Sequence, residues 1–130
     1  MTPTEHCRVE LKIPNDPRAL GAVRGALQHT ARHLGLPSSE EEELIAATDR
    51  LLRSAFASLS QSQEILVHMQ EHPDRIEIEI VRPANGPNEW DNLRQLPGVD
   101  QVESKTAGGE THLKLVKRLP GTGNTPPHPN

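Results

Sequence analysis

The residues best suited to chemistry fall in a helical stretch, Glu43–Leu59 (ELIAATDRLLRSAFASL), and in the segment Arg82–Gly86 (RPANG) that follows an alternating strand. Asp49 offers a carboxylate of the kind that serves as a general base. Arg53, four residues on, brings a guanidinium that could clamp a phosphate. The same spacing also makes an i,i+4 ion pair in the acid-first order, contributing about 0.2–0.5 kcal/mol. The ion pair is the preferred reading, because a base requires a group to activate.

Other reactive side chains are too sparse to form a site. His29 and His33 stand four apart, the spacing of a two-histidine metal face, but no third ligand follows at a suitable interval, and a solvated helix face accounts for them. Cys7, the single cysteine, cannot form an internal disulfide, and no base or oxyanion device accompanies it. Gly108-Gly109 has no helix start behind it, so a hairpin turn is expected instead of a phosphate loop. Trp90, the sole tryptophan, precedes Leu93 and Leu96 and is expected to anchor that segment to the sheet edge; the alternative is an exposed contact for a partner.

Composition narrows the function classes. The net charge of −4, with Phe56 and Trp90 the only aromatics, argues against nucleic-acid binding. The first ten residues, MTPTEHCRVE, lack the basic and apolar segments of a signal peptide, and no apolar run approaches membrane-spanning length. A cytoplasmic protein of bacterial type is therefore expected. The 130 residues suit one domain, taken as 1–120. Residues Gly121–Asn130 contain only Gly, Thr, Asn, Pro and His and should form a disordered tail.

The elements that must position the candidate residues are legible from periodicity. Arg8–Ile13 alternates as a half-buried strand. Asp16-Pro17 reads as an N-cap with proline at the first helical position. Leu20, Val23, Leu27, Ala31 and Leu34 then follow at helical spacing, and Gly35 is the stop. Two overlapping capping boxes, Ser38 with Glu41 and Ser39 with Glu42, open a second helix, with Glu40–Glu43 complementing its dipole. Its apolar stripe is Leu44, Thr48, Leu51, Leu52, Ala55 and Leu59, widened by Ile45 and Phe56. Ile65–Met69 and Ile76–Val81 form a hairpin through His72-Pro73-Asp74, and Gln101–Thr106 and Thr111–Leu119 a second one. Asn88–Leu96 could hold a short helix. The order β-α-α-β-β-α-β-β with one-sided strands predicts an α+β fold, a two-layer α/β sandwich with a mixed or antiparallel sheet of about five strands and helices on one face.

This order, the Ala-rich helix carrying Asp49 and the strand running into RPANG resemble the anti-sigma-factor serine kinases, which belong to the histidine-kinase-type ATPase fold. The resemblance spans about Arg8 to Leu119. It implies that the family's helix acid falls at Asp49, its Asn at Arg53 and its later His at Ala57. The family's Asp-x-Gly-x-Gly falls on Arg82-Pro83-Ala84-Asn85-Gly86, where only the last glycine is kept. The next glycine-rich segment has no clear counterpart between Asn88 and Gly98. The closing HLKLVKRL looks like the family's C-terminal edge.

The departures all act against nucleotide binding. The family's Asn holds magnesium through an oxygen, and Arg53 has no acceptor. The family's Asp accepts from the adenine amine, and Arg82 offers only donors. Ala84 restricts a loop that must approach the base closely. Asp49 is then a vestigial catalytic position, and Arg53, Arg82 and Gly86 are degenerate cofactor-binding positions. No cofactor is expected, ATP and magnesium being the alternative. The resemblance implies a homodimeric regulator binding a sigma factor or an anti-sigma antagonist; on composition, neither nucleic acid nor membrane is an expected partner. The alternative is an active ATP-dependent serine/threonine kinase.

Overall fold

The computed structural model describes residues 8–60, 62–84, 93 and 95–120. In chain order it contains β1 (Arg8–Pro14), a 3₁₀ turn (Pro17–Ala19), α1 (Leu20–His33), α2 (Ser38–Ala57), β2 (Glu64–Glu71), β3 (Arg75–Pro83), β4 (Gln101–Ala107) and β5 (Glu110–Arg118). The five strands make one sheet in the order β1-β2-β3-β5-β4, antiparallel at every junction. The mixed sheet is thus excluded. Of the expected Asn88–Leu96 helix, only Leu93, Gln95 and Leu96 are described, and none is helical. Trp90, Cys7 and the tail 121–130 lie outside the described residues. Among the described residues no helix is long and apolar enough to cross a membrane.

The pleat explains why the sheet has one greasy face. Side chains alternate sides along each strand, and the register lines up the apolar set across the sheet. Val9 faces Met69, Met69 faces Ile78, Ile78 faces Leu115, and Leu115 faces Val102. A second row runs Leu11, Val67, Ile80, Leu113. These residues share one core with the stripes of α1 (Leu20, Val23, Leu27, Ala31) and α2 (Leu44, Leu51, Leu52, Ala55, Phe56), so both helices cover the same face. The strand His112–Leu119 is not the edge that its resemblance implied. It lies between β3 and β4, because Leu113 and Leu115 are wholly buried and need a neighbour on each side.

Local signals hold with two adjustments. Asp16 caps the 3₁₀ turn and not α1 itself: its Oδ1 accepts the Arg18 backbone N–H at 3.0 Å. Hydrogen bonds from the Arg18 side chain and backbone hold the Asp16 carboxyl down at about 2. Gly35, at φ +80°, ends α1; Leu36 N–H reaches Ala31 O and Gly35 N–H reaches Arg32 O, the two bonds of a Schellman stop.

The capping boxes do not form. Pro37 occupies the N-cap of α2, with no side-chain cap. Ser38 and Ser39 thus lie inside the first turn, past the cap position that a capping box requires of its serine. Glu41 turns instead to Arg32, whose Nε lies 3.2 Å from both carboxylate oxygens, tying α1 to α2. Glu40 meets Lys117 at 3.0 Å and ties the first turn of α2 to β5.

Gly21 and Gly25 sit in α1, and among the described residues nothing lies within 4 Å of where a Cβ would stand. Both weaken the helix without relieving a clash. Gly21→Ala and Gly25→Ala should therefore each stabilise the fold by about 0.5–1 kcal/mol, measured as a rise in urea midpoint at constant m.

Candidate functional site

Asp49 and Arg53 lie one turn apart on α2, at the margin of its buried stripe. Arg53 Nε donates to Asp49 Oδ2 at 2.7 Å, with the Asp49 side chain 29 % and the Arg53 side chain 63 % exposed. The expected ion pair therefore forms, and it engages the one carboxylate that the sequence offered as a base. Asp49 also borders a crevice between α1 and α2 lined by Leu20, Val23, Leu27, Thr48 and Leu52. That crevice measures about 10 Å³, room for one water at most. Exposed ion pairs contribute little. Asp49→Ala should change unfolding free energy by well under ~1 kcal/mol in urea titration.

Arg82 is placed differently. It continues the inward series Ile76, Ile78, Ile80, so the pleat turns its side chain toward the helices. The residue is 3 % exposed. Its Nη1 donates to Ser58 Oγ at the C-terminal end of α2, while Ser58 Oγ donates to Ala55 O at 3.0 Å. A guanidinium here neutralises the negative end of the helix dipole. Arg82 thus acts as a bolt between β3 and the end of α2. On α2, Ser58 stands five residues beyond Arg53, about 7.5 Å of rise, so the structure brings Asp49 to Arg53 and holds Arg82 apart on the buried side. Gly86, the remaining position, lies outside the described residues.

Ser58 had no signal in the sequence. Its partner is 24 positions away, and only the register of β3 against the helices sets the pairing. The inward direction of Arg82 was readable, by carrying the Ile76-Ile78-Ile80 alternation one step further.

The histidine pair stacks, with ring centroids 6.3 Å apart and planes 9° from parallel. Both rings are exposed, and among the described residues no group of three or more His, Cys, Asp or Glu could hold a metal. The exposure of both rings fits a solvated helix face.

The uncovered face of the sheet pairs acidic side chains with histidines and basic side chains. His68 meets Glu10 at 3.3 Å, and His112 meets Glu79 at 3.1 Å and Glu110 at 3.4 Å. Glu77 gathers Arg75 at 2.9 Å, His72 at 3.3 Å and Lys114 at 3.6 Å. Burial raises the Glu77 pKa, but the Arg75 hydrogen bond and the charges of Lys114, His72 and Arg75 outweigh it and bring the carboxyl below its usual 4.5. A depressed carboxyl contributes stability above its unfolded pKa and loses it as pH falls through the folded value. The protein should accordingly lose stability on acidification below about pH 4.5, and Glu77→Gln should flatten that loss in urea titrations at several pH values.

No protein-family model matches the chain, and no curated protein matches it at a significant level. Among solved structures it is similar to the RsbU and RsbW domains of Rv1364c from Mycobacterium tuberculosis, with a TM-score of 0.66 and 14 % identity. The match covers 87 % of this chain and 32 % of that one, so it spans about a third of the length of the solved chain. At that identity the likeness extends to the fold alone: a five-stranded antiparallel sheet backed by two helices.

Proposed function

We propose that the chain is a cytoplasmic regulatory protein that acts by binding a partner protein, as a homodimer and without ATP or magnesium. The partner class is a sigma factor or an anti-sigma antagonist. A single domain over 1–120 would carry this role, since sequestration requires only a stable complementary surface.

The observation that carries the reading is the engagement of Arg82. In the related kinases this position supplies an acceptor to adenine; here a buried guanidinium donates to Ser58. Asp49 and Arg53 satisfy one another on the helix surface, so the positions that would hold a nucleotide and its metal serve internal contacts. The shared fold supports a partner-switching role, and the internal contacts of Arg82 and Asp49 favour one that works without a nucleotide.

Calorimetric titration with ATP, with and without magnesium, tests the first half of the proposal. No heat of binding is expected in either condition. Magnesium-dependent binding would overturn it and favour an active ATP-dependent serine/threonine kinase, established by phosphorylation of a partner serine. Affinity capture from the native host tests the second half, the expected prey being a sigma factor or its antagonist.

A further inference from the structure

The free edge of the sheet is β4, and its backbone is organised for one pairing. Ala84 N–H bonds to Gly109 O at 2.9 Å, which extends the β3–β5 ladder. In an antiparallel ladder every second residue points its N–H and C=O at a given neighbour. Thr111, Leu113 and Leu115 therefore face β3, and Glu110, His112, Lys114 and Val116 face β4. The partners of that second set are Ala107, Lys105, Glu103 and Gln101. The turn agrees: Gly108 at φ +61° and Gly109 at φ +79° form the two-residue loop that closes on a hydrogen-bonded pair, Ala107 with Glu110. By elimination, the N–H and C=O groups of Val102, Ser104 and Thr106 point outward from the sheet, and no described strand lies beyond them.

The side chains of β4 then select a partner. Glu103 and Lys105 project on the uncovered face, both are exposed, and neither forms an ion pair with another described residue. They flank Ser104 symmetrically. A two-fold axis through Ser104 sets Glu103 of one copy against Lys105 of the other, twice. The same axis pairs Ser104 with Ser104, and Val102 with Thr106, through the outward main-chain groups. Those three facing pairs exchange about six main-chain hydrogen bonds. Sliding two residues either way keeps the hydrogen bonding but sets Glu103 against Glu103, or Lys105 against Lys105. Lysine on an edge strand ordinarily discourages pairing; opposite a glutamate it fixes the register. The other edge, β1, is blunted: Pro14 has no N–H, and Glu10 is already engaged by Arg8 at 3.5 Å and His68 at 3.3 Å.

We propose that β4 pairs antiparallel with β4 of a second copy about Ser104, joining the two sheets edge to edge. The inference names the surface of the homodimer and rests on that part of the functional reading alone, not on the identity of any sigma-type partner.

Sedimentation equilibrium on the full chain and on charge-reversed variants tests it. Wild type should dimerise. Glu103→Lys or Lys105→Glu should each raise the dimer dissociation constant about tenfold, since two attractions become repulsions. The double exchange Glu103→Lys/Lys105→Glu should restore it. Amide exchange at Val102, Ser104 and Thr106 should slow as protein concentration rises, while Glu103 and Lys105, already bonded to β5, should not change. A monomeric wild type overturns both the pairing and the homodimer. A dimer indifferent to both reversals, or exchange at those three amides independent of concentration, overturns the pairing and leaves a dimer through another surface.

Discussion

Leu51→Ala should lower the unfolding free energy by about 2–5 kcal/mol, a large share of what a domain of this size holds. Leu51 is 4 % exposed and belongs to the continuous core between α2 and the sheet. Truncation removes the transfer free energy of the lost methyl groups and leaves a void. The surrounding Ile, Leu and Val side chains are stiffly held by the sheet register and will close that void only in part. Urea titration should show a lower midpoint at unchanged slope. A loss below ~1 kcal/mol would mean that Leu51 faces a surface and not the core, and would place the helix stripe wrongly against the sheet. The contrast with Asp49→Ala is the informative part. The two residues are neighbours on α2, yet the core side carries the fold and the charged margin carries almost nothing.

Gly98→Ala should cost about 2–4 kcal/mol, or release the segment that precedes β4. Gly98 has φ +89°, a conformation that side-chain-bearing residues rarely adopt, and an added Cβ would lie 2.8 Å from the backbone carbon, the oxygen and the Cβ of Glu43. The atoms it meets belong to the first turns of α2, which Glu40–Lys117 and Glu41–Arg32 already anchor. The helix backbone cannot give way cheaply, so the loop must. Leu96, which the loop seats in the core, would be displaced with it. Thermal melts and amide exchange in α2 should report the change together. A variant as stable as wild type would show that the close approach of Gly98 to Glu43 is absent in solution.

The resemblance to anti-sigma kinases and the geometry of Arg82 meet at one physical point. A buried guanidinium is stable only if its donors are satisfied and its charge is compensated. Ser58 accepts from Nη1, one of those donors, and the negative end of the α2 dipole compensates part of the charge. A carboxylate there would remove the donor that Ser58 Oγ accepts from and would place negative charge at the negative end of the α2 dipole. The guanidinium at position 82 therefore has a structural role, tying β3 to the end of α2.

Much of the architecture was written in short-range pattern. The period-two runs around Val67 and Ile78, the helical stripes of Leu27 and Leu52, the stop at Gly35 and the turns at Pro73-Asp74 and Gly108-Gly109 depend on neighbours within a few residues. Burial, propensity and turn chemistry all act at that range, which is why they could be read. The Asp49–Arg53 pair was legible for the same reason: four residues on a helix is a local distance.

What the chain order could not reveal depended on pairing between distant segments. Strand order placed β5 inside and β4 at the edge. Register put Arg82 under Ser58. Packing of Glu41 against Arg32 replaced a capping box that the local sequence spelled out, because α2 starts with Pro37 at its N-cap and holds Ser38 and Ser39 inside the first turn. Each of these is settled by contacts whose cost in chain entropy is met only when the whole core closes, so no window of sequence contains them.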